Sequence, residues 1–447
     1  MKDPLGMTAR AAAALRAALL RHYDRWHRDL PFRRTRDPYR IWVSEIMLQQ
    51  TQVATILPYY RRFLAALPTV RRLARAPLGR VLKLWEGLGY YARARNLHAA
   101  AKAVVRDHGG RLPRDREALL ALPGIGRYTA GAIRSIAFGE PDPVVDGNII
   151  RILSRLRAIG GDPGTSAAKE RFWTIAAALV PKRRPGDFNQ AMMEHGALVC
   201  TPRAPACGRC PIRRWCRAFA LGRPGDFPAR PPARAVPRRR GVVALVEKSG
   251  RVLVVRRPKT GLLGGLWELP WVERRRGEGV AAAARRAARE RAGAAVAPGA
   301  VLPAADHAFS HFRLTLTPVR CRVLEKRETR PGARPGRDGL RAPASRTPPA
   351  RWIDPRRPSG LALPTVMKRI LERGPTPLPE RRHDRSLQPP RRRILRPRRA
   401  DAARGRARRR CARAFKRPGR RAPAPLDGRD PVGRRDADHG GRRSRRR

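Results

Sequence analysis

The chain has 447 residues and a formal net charge of +65, since 100 lysine and arginine side chains outnumber 35 acidic ones. This length allows two or three domains with separate cores, and the charge indicates a polyanionic partner, of which nucleic acid is the commonest. Six cysteines, four of them clustered, argue against a secreted disulfide framework, and the lack of a signal peptide or membrane span predicts a cytoplasmic protein.

The first half of the chain has apolar positions at helical spacing, separated by short proline and glycine breaks. This pattern predicts an all-α domain over residues 1–227, in which a helix over Ile41–Val53 carries Glu45. Further helices are predicted over Leu82–Leu88, Arg93–Val105, Arg116–Leu122, Tyr128–Phe138 and Gly147–Ile159. Residues 228–240 are rich in proline and arginine and form a linker.

The pattern then changes to one typical of strands. Two β-branched runs, Val242–Val246 and Val252–Val255, flank a Glu-Lys-Ser-Gly segment and predict a β-hairpin. A helix over Val280–Arg291 and an alternating strand over Phe312–Leu316 follow. These elements predict a smaller α+β domain over residues 241–372, so the chain is expected to be multidomain.

Two segments lack the composition of a packed core. Residues 326–350 read as a loose insertion in the second domain, and residues 373–447 form an Arg/Pro-rich tail with few large apolar side chains. The tail is either a disordered nucleic-acid-binding arm or the result of reading beyond the natural end of the gene. Both interpretations fit its composition.

A compact C-x6-C-x2-C-x5-C cluster contains four of the cysteines: Cys200, Cys207, Cys210 and Cys216. Such spacing is typical of one metal site with four thiolate ligands, and it is compatible with zinc as well as with an iron–sulfur cluster. Upstream, the run Leu122-Pro-Gly-Ile-Gly-Arg-Tyr128 predicts a hairpin between two helices. Gly124 and Gly126 permit a tight bend there and let backbone amides approach a phosphate.

Two carboxylates have the character needed to break a glycosidic bond. Glu45 lies on an otherwise apolar helix, where burial would raise its pKa and let it donate a proton near neutral pH. A solvent-facing position is the alternative for an isolated glutamate. Asp146 precedes a predicted helix, where it fits an N-cap and can also face a pocket. In such a pair, one carboxyl protonates the leaving group and the other stabilises an oxocarbenium-like sugar or positions water.

These motifs together resemble the MutY family of adenine DNA glycosylases, which belongs to the helix-hairpin-helix superfamily with endonuclease III. The segments that carry the resemblance occur in family order: Ser44–Gln52, Gly87–Tyr91, Leu122–Ala130, Val145–Asn148 and the cysteine cluster. The resemblance implies base excision repair and a [4Fe–4S] cluster on the four cysteines. It also implies a monomer that acts on DNA of the nucleoid.

The resemblance assigns catalytic roles to four residues. Glu45 would protonate the extruded adenine, and Asp146 would stabilise the positive charge that develops on the deoxyribose. Tyr128 and Asn148 would support the two carboxylates. Endonuclease III-like lyases have a lysine where this chain has Tyr128, and a tyrosine cannot form a Schiff base, so we expect hydrolysis to an abasic site. Thymine mismatch glycosylases also have a tyrosine there, and they remain an alternative, as does a non-catalytic DNA-binding protein.

The resemblance also implies contacts with DNA. A nucleotide must leave the duplex before its sugar can react, which costs a few kcal/mol of stacking and pairing. Gln50 and Tyr90 match residues that wedge into the base stack, where an aromatic ring replaces part of the lost stacking. Outside this context Tyr90 would be an ordinary core or surface aromatic. Arg28 and Arg33 match positions near the base pocket, and the hairpin glycines match a phosphate contact.

Residues 241–372 resemble the MutT-like (Nudix) domain that is attached to MutY. The metal-binding motif of active Nudix enzymes is incomplete here, because Ala287 and Arg291 replace two of its glutamates. Such a site should bind Mg²⁺ poorly, which disfavours a nucleotide pyrophosphatase and favours a recognition module.

One loop of this second domain bears on the substrate. The segment Phe309-Ser310-His311 matches the loop that inspects 8-oxoguanine in the family, with Ser310 bonding to the lesion, although three such residues alone are more often an ordinary strand end. The implied partner is double-stranded DNA with an 8-oxoguanine:adenine pair, or secondarily a G:A mispair.

Overall fold

The computed structural model describes residues 4, 6–229, 235–324, 348–358 and 360–373. The tail after residue 373 and most of the expected insertion lie outside the described residues. Within these ranges the N-terminal part contains twelve α-helices: α1 (Ala9–Trp26), α2 (Pro38–Leu48), α3 (Val53–Ala66), α4 (Val70–Arg75), α5 (Leu78–Leu84), α6 (Ala92–Asp107), α7 (Arg116–Leu120), α8 (Arg127–Ala137), α9 (Gly147–Arg157), α10 (Ser166–Leu179), α11 (Pro185–Leu198) and α12 (Arg217–Ala220).

Helix α2 ends earlier than its apolar periodicity predicts. The sequence indicates one helix over Ile41–Val53, but α2 stops at Leu48 and α3 starts at Val53 after a turn in which Gln50 has φ 55°. The prediction was wrong at this end because α2 and α3 pack on the same core, so the apolar pattern continues through the turn. The helix predicted over Leu82–Leu88 is likewise displaced from α5.

Two apolar cores divide the helical domain into two lobes. One core contains Phe63 and Trp85, and the other contains Phe172 and Phe188. Helices α2 and α8 contribute to both cores: on α2, for example, Ile41 packs in the second core and the adjacent Trp42 in the first. Helices α2 and α8 therefore run along the boundary between the two lobes.

The C-terminal part is a mixed sheet with helices on both faces. Its elements are β1 (Arg238–Lys248), β2 (Arg251–Arg256), β3 (Trp267–Glu268), β4 (Trp271–Glu273), α13 (Val280–Ala292), β5 (Val296–Val301), β6 (Ala305–Ala308), β7 (Arg313–Val323), β8 (Ala350–Ile353) and α14 (Thr365–Arg373). The main strand order is β3-β2-β1-β7-β5, and β1 pairs in parallel with β7. Helix α13 packs on one face with Val242, and α14 packs on the other with Val243.

The predicted β1–β2 hairpin is confirmed, and its turn residues Ser249 and Gly250 have φ 47° and 69°. Positive φ at both positions matches the twist of the flanking strands. The expected fold class, an all-α domain followed by a smaller α+β domain, is also confirmed. Across the described residues, no helix combines the length and apolar character needed to cross a bilayer.

Candidate active site

A cavity of about 470 Å³ opens at the boundary between the two helical lobes. It brings together all four residues to which the sequence assigned catalytic roles: Glu45, Tyr128, Asp146 and Asn148. They come from α2, from the start of α8 and from the entrance to α9, so three elements that are distant in sequence build one site.

Glu45 has the environment of a proton donor. Its side chain is buried, with only 4% of the residue exposed, and the Tyr128 hydroxyl donates to its Oε2 at 2.8 Å. Burial raises the pKa of Glu45 to about 7, and the nearby Asp146 charge acts in the same direction, whereas the Tyr128 bond opposes it. Burial also raises the pKa of Tyr128 well above its usual range, so this hydroxyl remains a donor.

Asp146 fills both of the roles that the sequence allowed. Its Oδ1 caps α9 by accepting the Ile149 backbone N–H at 2.8 Å, and its Oδ2 accepts from the Asn148 amide at 2.8 Å while facing the cavity. Arg151 in turn donates to Asn148 Oδ1 at 2.8 Å and to the carbonyl of Cys200 at 2.7 Å. The aspartate is therefore held at a fixed position by a chain of bonds that reaches the cysteine loop.

Arg28 and Arg33 line the cavity, but their charges are already paired. Both donate to Glu194 on α11, with N–O distances of 2.9 Å from Arg28 Nε and 2.7 Å from Arg33. Burial opposes ionisation of Glu194, yet the bonds from the two arginines lower its pKa to about 2. Glu194 was not predicted as a site residue, although a carboxylate on a largely apolar helix is the signal that singled out Glu45.

The hairpin between α7 and α8 has the geometry of an anion contact. Gly124 has φ 78°, and a Cβ there would lie 2.6 Å from Asn96 Cβ, so no other residue fits without displacement. Gly126 is the N-cap of α8, where no side chain caps the helix, and no described atom would lie within 4 Å of a Cβ at this position. The first amides of α8 are thus free of a side-chain cap, as a phosphate contact requires.

Gln50 and Tyr90 lie in two turns that share one anchor. Both have left-handed backbones, with φ 55° and 47°, a conformation that costs about 1–3 kcal/mol for residues other than glycine. The buried Arg93 donates to the carbonyls of Met47 at 2.8 Å and Leu88 at 3.3 Å, and it stacks on the Tyr90 ring at 5.4 Å. Arg93, which was not predicted from the sequence, holds the two turns together.

These turns form one wall of a second cavity, of about 500 Å³. Its other wall contains the loop Phe309–His311, which joins β6 to β7. The loop is closed by a bond from the Phe309 backbone N–H to the Phe312 carbonyl at 2.9 Å, and the rings of these two residues stack at 4.5 Å. Ser310 is exposed at the tip.

The four cysteines surround a small cavity beside α9, together with Arg155. Burial raises the pKa of Cys210 to about 12, so its thiolate needs a positively charged metal partner. Four thiolate donors around one cavity fit an iron–sulfur cluster, and Zn²⁺ accepts the same set of donors.

Arg155 supports this loop from α9. It donates to Cys200 Sγ at 3.2 Å and to the carbonyls of Thr201 at 2.7 Å and Phe227 at 3.0 Å. The cysteine loop is thereby packed against the helix that Asp146 caps. The four cysteines would hold an iron–sulfur cluster there, and the bound cluster would cross-link the loop.

Family models match three parts of the chain. The model of the HhH-GPD superfamily of base excision DNA repair proteins matches residues 43–178, and that of the NUDIX domain matches residues 241–373. The model of the iron-sulfur binding domain of endonuclease III matches residues 200–216, which contain all four clustered cysteines. The chain therefore has a [4Fe–4S] binding loop, as the sequence predicted.

Curated proteins are similar over a longer range. The chain is 39% identical over 420 residues to the adenine DNA glycosylase of Homo sapiens, an alignment that covers 80% of this chain and 73% of that protein. It is 42% identical over 299 residues to the Arabidopsis thaliana adenine DNA glycosylase, which covers 58% of this chain and 47% of that one. The chain is 35% identical over 318 residues to the adenine DNA glycosylase of Schizosaccharomyces pombe, an alignment that covers 58% of this chain and 69% of that protein. The chain belongs to the adenine DNA glycosylase family of base excision repair enzymes.

Proposed function

We propose that the protein hydrolyses the N-glycosidic bond of adenine opposite 8-oxoguanine, or opposite guanine, in duplex DNA. The observation that carries this proposal is the position of the turn after α2. Leu48 and Thr51 line the Glu45 cavity, whereas Gln49 and Gln50 line the second cavity. This turn therefore lies between two cavities, an arrangement that suits an enzyme that extrudes one base of a pair and inspects the other.

The residues of the first cavity support a division of labour. Glu45, with its pKa raised to about 7, holds a proton near neutral pH and can give it to a ring nitrogen of adenine. The Asp146 carboxylate would then stabilise the positive charge on the sugar as the bond breaks. Tyr128 and Asn148 keep the two carboxyl groups in place through the bonds described above.

Hydrolysis is expected to proceed without a covalent enzyme intermediate. Tyr128 stands where a lyase would have its amine, and its hydroxyl is bonded to the buried Glu45. Water is then the nucleophile, and the product is an abasic site in an intact strand. Similarity to adenine glycosylases over 80% of the chain favours adenine over the thymine alternative.

The C-terminal domain is proposed to read the lesion and not to hydrolyse nucleotides. Arg291, which replaces a glutamate of the Nudix motif, donates to the fully buried Glu268 at 2.9 Å, and Arg257 donates to the same carboxylate at 2.8 Å. A carboxylate that is compensated by two arginines is a poor Mg²⁺ ligand.

We also propose that the two domains span residues 1–227 and 241–372. We further propose that the protein is a monomer and that it acts on nucleoid DNA.

The pH dependence of excision should report the ionisation of Glu45. Because its pKa is raised to about 7, the carboxyl is protonated and active below that pH and becomes ionised above it. We expect kcat/KM for adenine excision to fall about tenfold per pH unit on the alkaline side, since this parameter reflects the free enzyme. Initial rates with limiting protein would measure it, and a profile that stays flat to about pH 9 would contradict a Glu45 proton donor.

Replacement of Ser310 should reduce lesion recognition selectively. We expect Ser310→Ala to slow single-turnover excision of adenine opposite 8-oxoguanine by about two- to tenfold, the effect of one lost hydrogen bond, with little change opposite guanine. Because the product is an abasic site, the parent protein and Ser310→Ala should both give strand breaks only after alkali treatment. Equal slowing on both duplexes would argue against lesion reading by this loop, and breaks without alkali would argue for a lyase.

A further inference from the structure

The second cavity has one wall in each domain, so its width depends on how the domains are joined. At the junction Glu86, which is 9% exposed, accepts the Leu363 backbone N–H at 2.8 Å. It also accepts from the ammonium groups of Lys83 at 2.8 Å and Lys368 at 2.6 Å. We call this set of contacts, made by Glu86, Lys83, Lys368 and the Leu363 amide, the Glu86 clasp.

The clasp lies directly beside both walls of the cavity. Glu86 is followed by Gly87, which begins the wall that contains Tyr90, and Leu363 is followed by Pro364 on the opposite side. No intervening residue separates Glu86 or Leu363 from the lining segment next to it, so a shift of either partner acts directly on that segment.

Other contacts at the junction make it well packed. Arg95, in the helical domain, donates to the carbonyl of Gly264 at 3.0 Å. Leu266 and Ala362, from the C-terminal domain, are buried in the first core of the helical domain. Burial opposes ionisation of Glu86, but the bonds from Leu363 and Lys368 lower its pKa below the usual value. The clasp is thus an ionic contact at the edge of an apolar joint.

We propose that Glu86 is a specificity-determining residue, because the clasp fixes the distance between the turn that carries Tyr90 and the loop Phe309–His311. This inference rests on the proposed reading of the opposite base in the second cavity. Contacts to 8-oxoguanine need the Ser310 hydroxyl within hydrogen-bond distance, and a small displacement removes such a bond. Excision opposite guanine depends less on this bond, so loosening the clasp should reduce discrimination more than activity.

The test compares single-turnover excision of adenine opposite 8-oxoguanine and opposite guanine, using full-length protein loaded with its cluster. We expect Glu86→Ala to lower the ratio of the two rates by about two- to fivefold, within the loss expected for Ser310→Ala, chiefly by slowing excision from the 8-oxoguanine duplex. Glu86→Gln keeps an acceptor for the Leu363 amide and should lie between the parent and Glu86→Ala. Lys368→Met removes an ion pair from the other domain, and it decides the question if Glu86→Ala does not fold.

Glu278→Ala is the matched control. Glu278 is also little exposed, at 13%, and it accepts from Arg286 at 2.7 Å and from the Arg275 backbone N–H at 3.0 Å, but these partners lie in its own domain. For Glu278→Ala, the ratio of excision rates on the 8-oxoguanine and guanine duplexes should equal that of the parent protein. A parental ratio in folded Glu86→Ala and Lys368→Met, or equal slowing on both duplexes, would overturn the role of the clasp.

Ser310→Ala separates this inference from the proposed function. If Ser310→Ala lowers the rate ratio and the Glu86 variants do not, lesion reading stands and only the clasp inference fails. If Ser310→Ala leaves the ratio unchanged, the proposed lesion reading fails, and the clasp inference fails with it.

Discussion

Glu45→Gln is expected to leave mispair binding near the parental level and to slow adenine excision by about 10²–10⁴-fold, the usual contribution of a general acid. The amide has the same shape and still accepts the bond that the Tyr128 hydroxyl donates to Glu45 at 2.8 Å. It lacks only the acidic proton. Loss of activity would therefore reflect lost proton transfer and not a collapsed site.

Two measurements on this variant distinguish chemistry from binding. Fluorescence anisotropy with labelled duplex gives the affinity, and single-turnover excision with excess protein gives the rate of the chemical step. Exposed Glu372 on α14 lines neither cavity, so Glu372→Gln is a control for the same substitution. Parental excision by Glu45→Gln would remove this residue from the mechanism.

Asp146→Asn should separate the two roles of Asp146. Asparagine caps helices about as well as aspartate, so its side-chain oxygen should still accept the Ile149 amide. The bond that Asp146 Oδ2 accepts from Asn148 is lost, and we expect the melting temperature to fall by no more than about 4 °C. The negative charge beside the reacting sugar disappears, and we expect excision to slow by about 10²–10³-fold, as when one electrostatic stabiliser is removed.

The same variant should shift the pH profile in a defined direction. The Asp146 charge raises the pKa of Glu45, so its removal lowers that pKa and moves the alkaline loss of activity to lower pH. Asp37→Asn is the matched control, because Asp37 caps α2 by accepting from the Tyr39 amide at 2.8 Å and does not line the cavity. Parental excision by Asp146→Asn, or an equal loss in Asp37→Asn, would contradict the assignment.

Features that depend on local order could be predicted from the amino-acid sequence. Helical and alternating periodicities predicted most elements, because a buried face repeats along each one. The cap at Asp146 followed from the preference of aspartate for that position, and the metal loop from the cysteine spacing. The apolar run around Glu45 left burial and a solvent-facing position open, and the structure shows that Glu45 is buried. Periodicity failed at Gln50, where two helices pack on one core across a turn.

Contacts between groups that are distant in sequence became evident from the folded chain. The partner of Arg28 lies 166 positions away at Glu194, and the amide that Glu86 accepts lies 277 positions away at Leu363. The sequence around a single arginine or glutamate does not indicate its partner, because the free energy of such a contact depends on burial and distance in the folded chain. For the same reason, only the fold shows that the turns containing Gln50 and Tyr90 and the loop Phe309–His311 line one cavity.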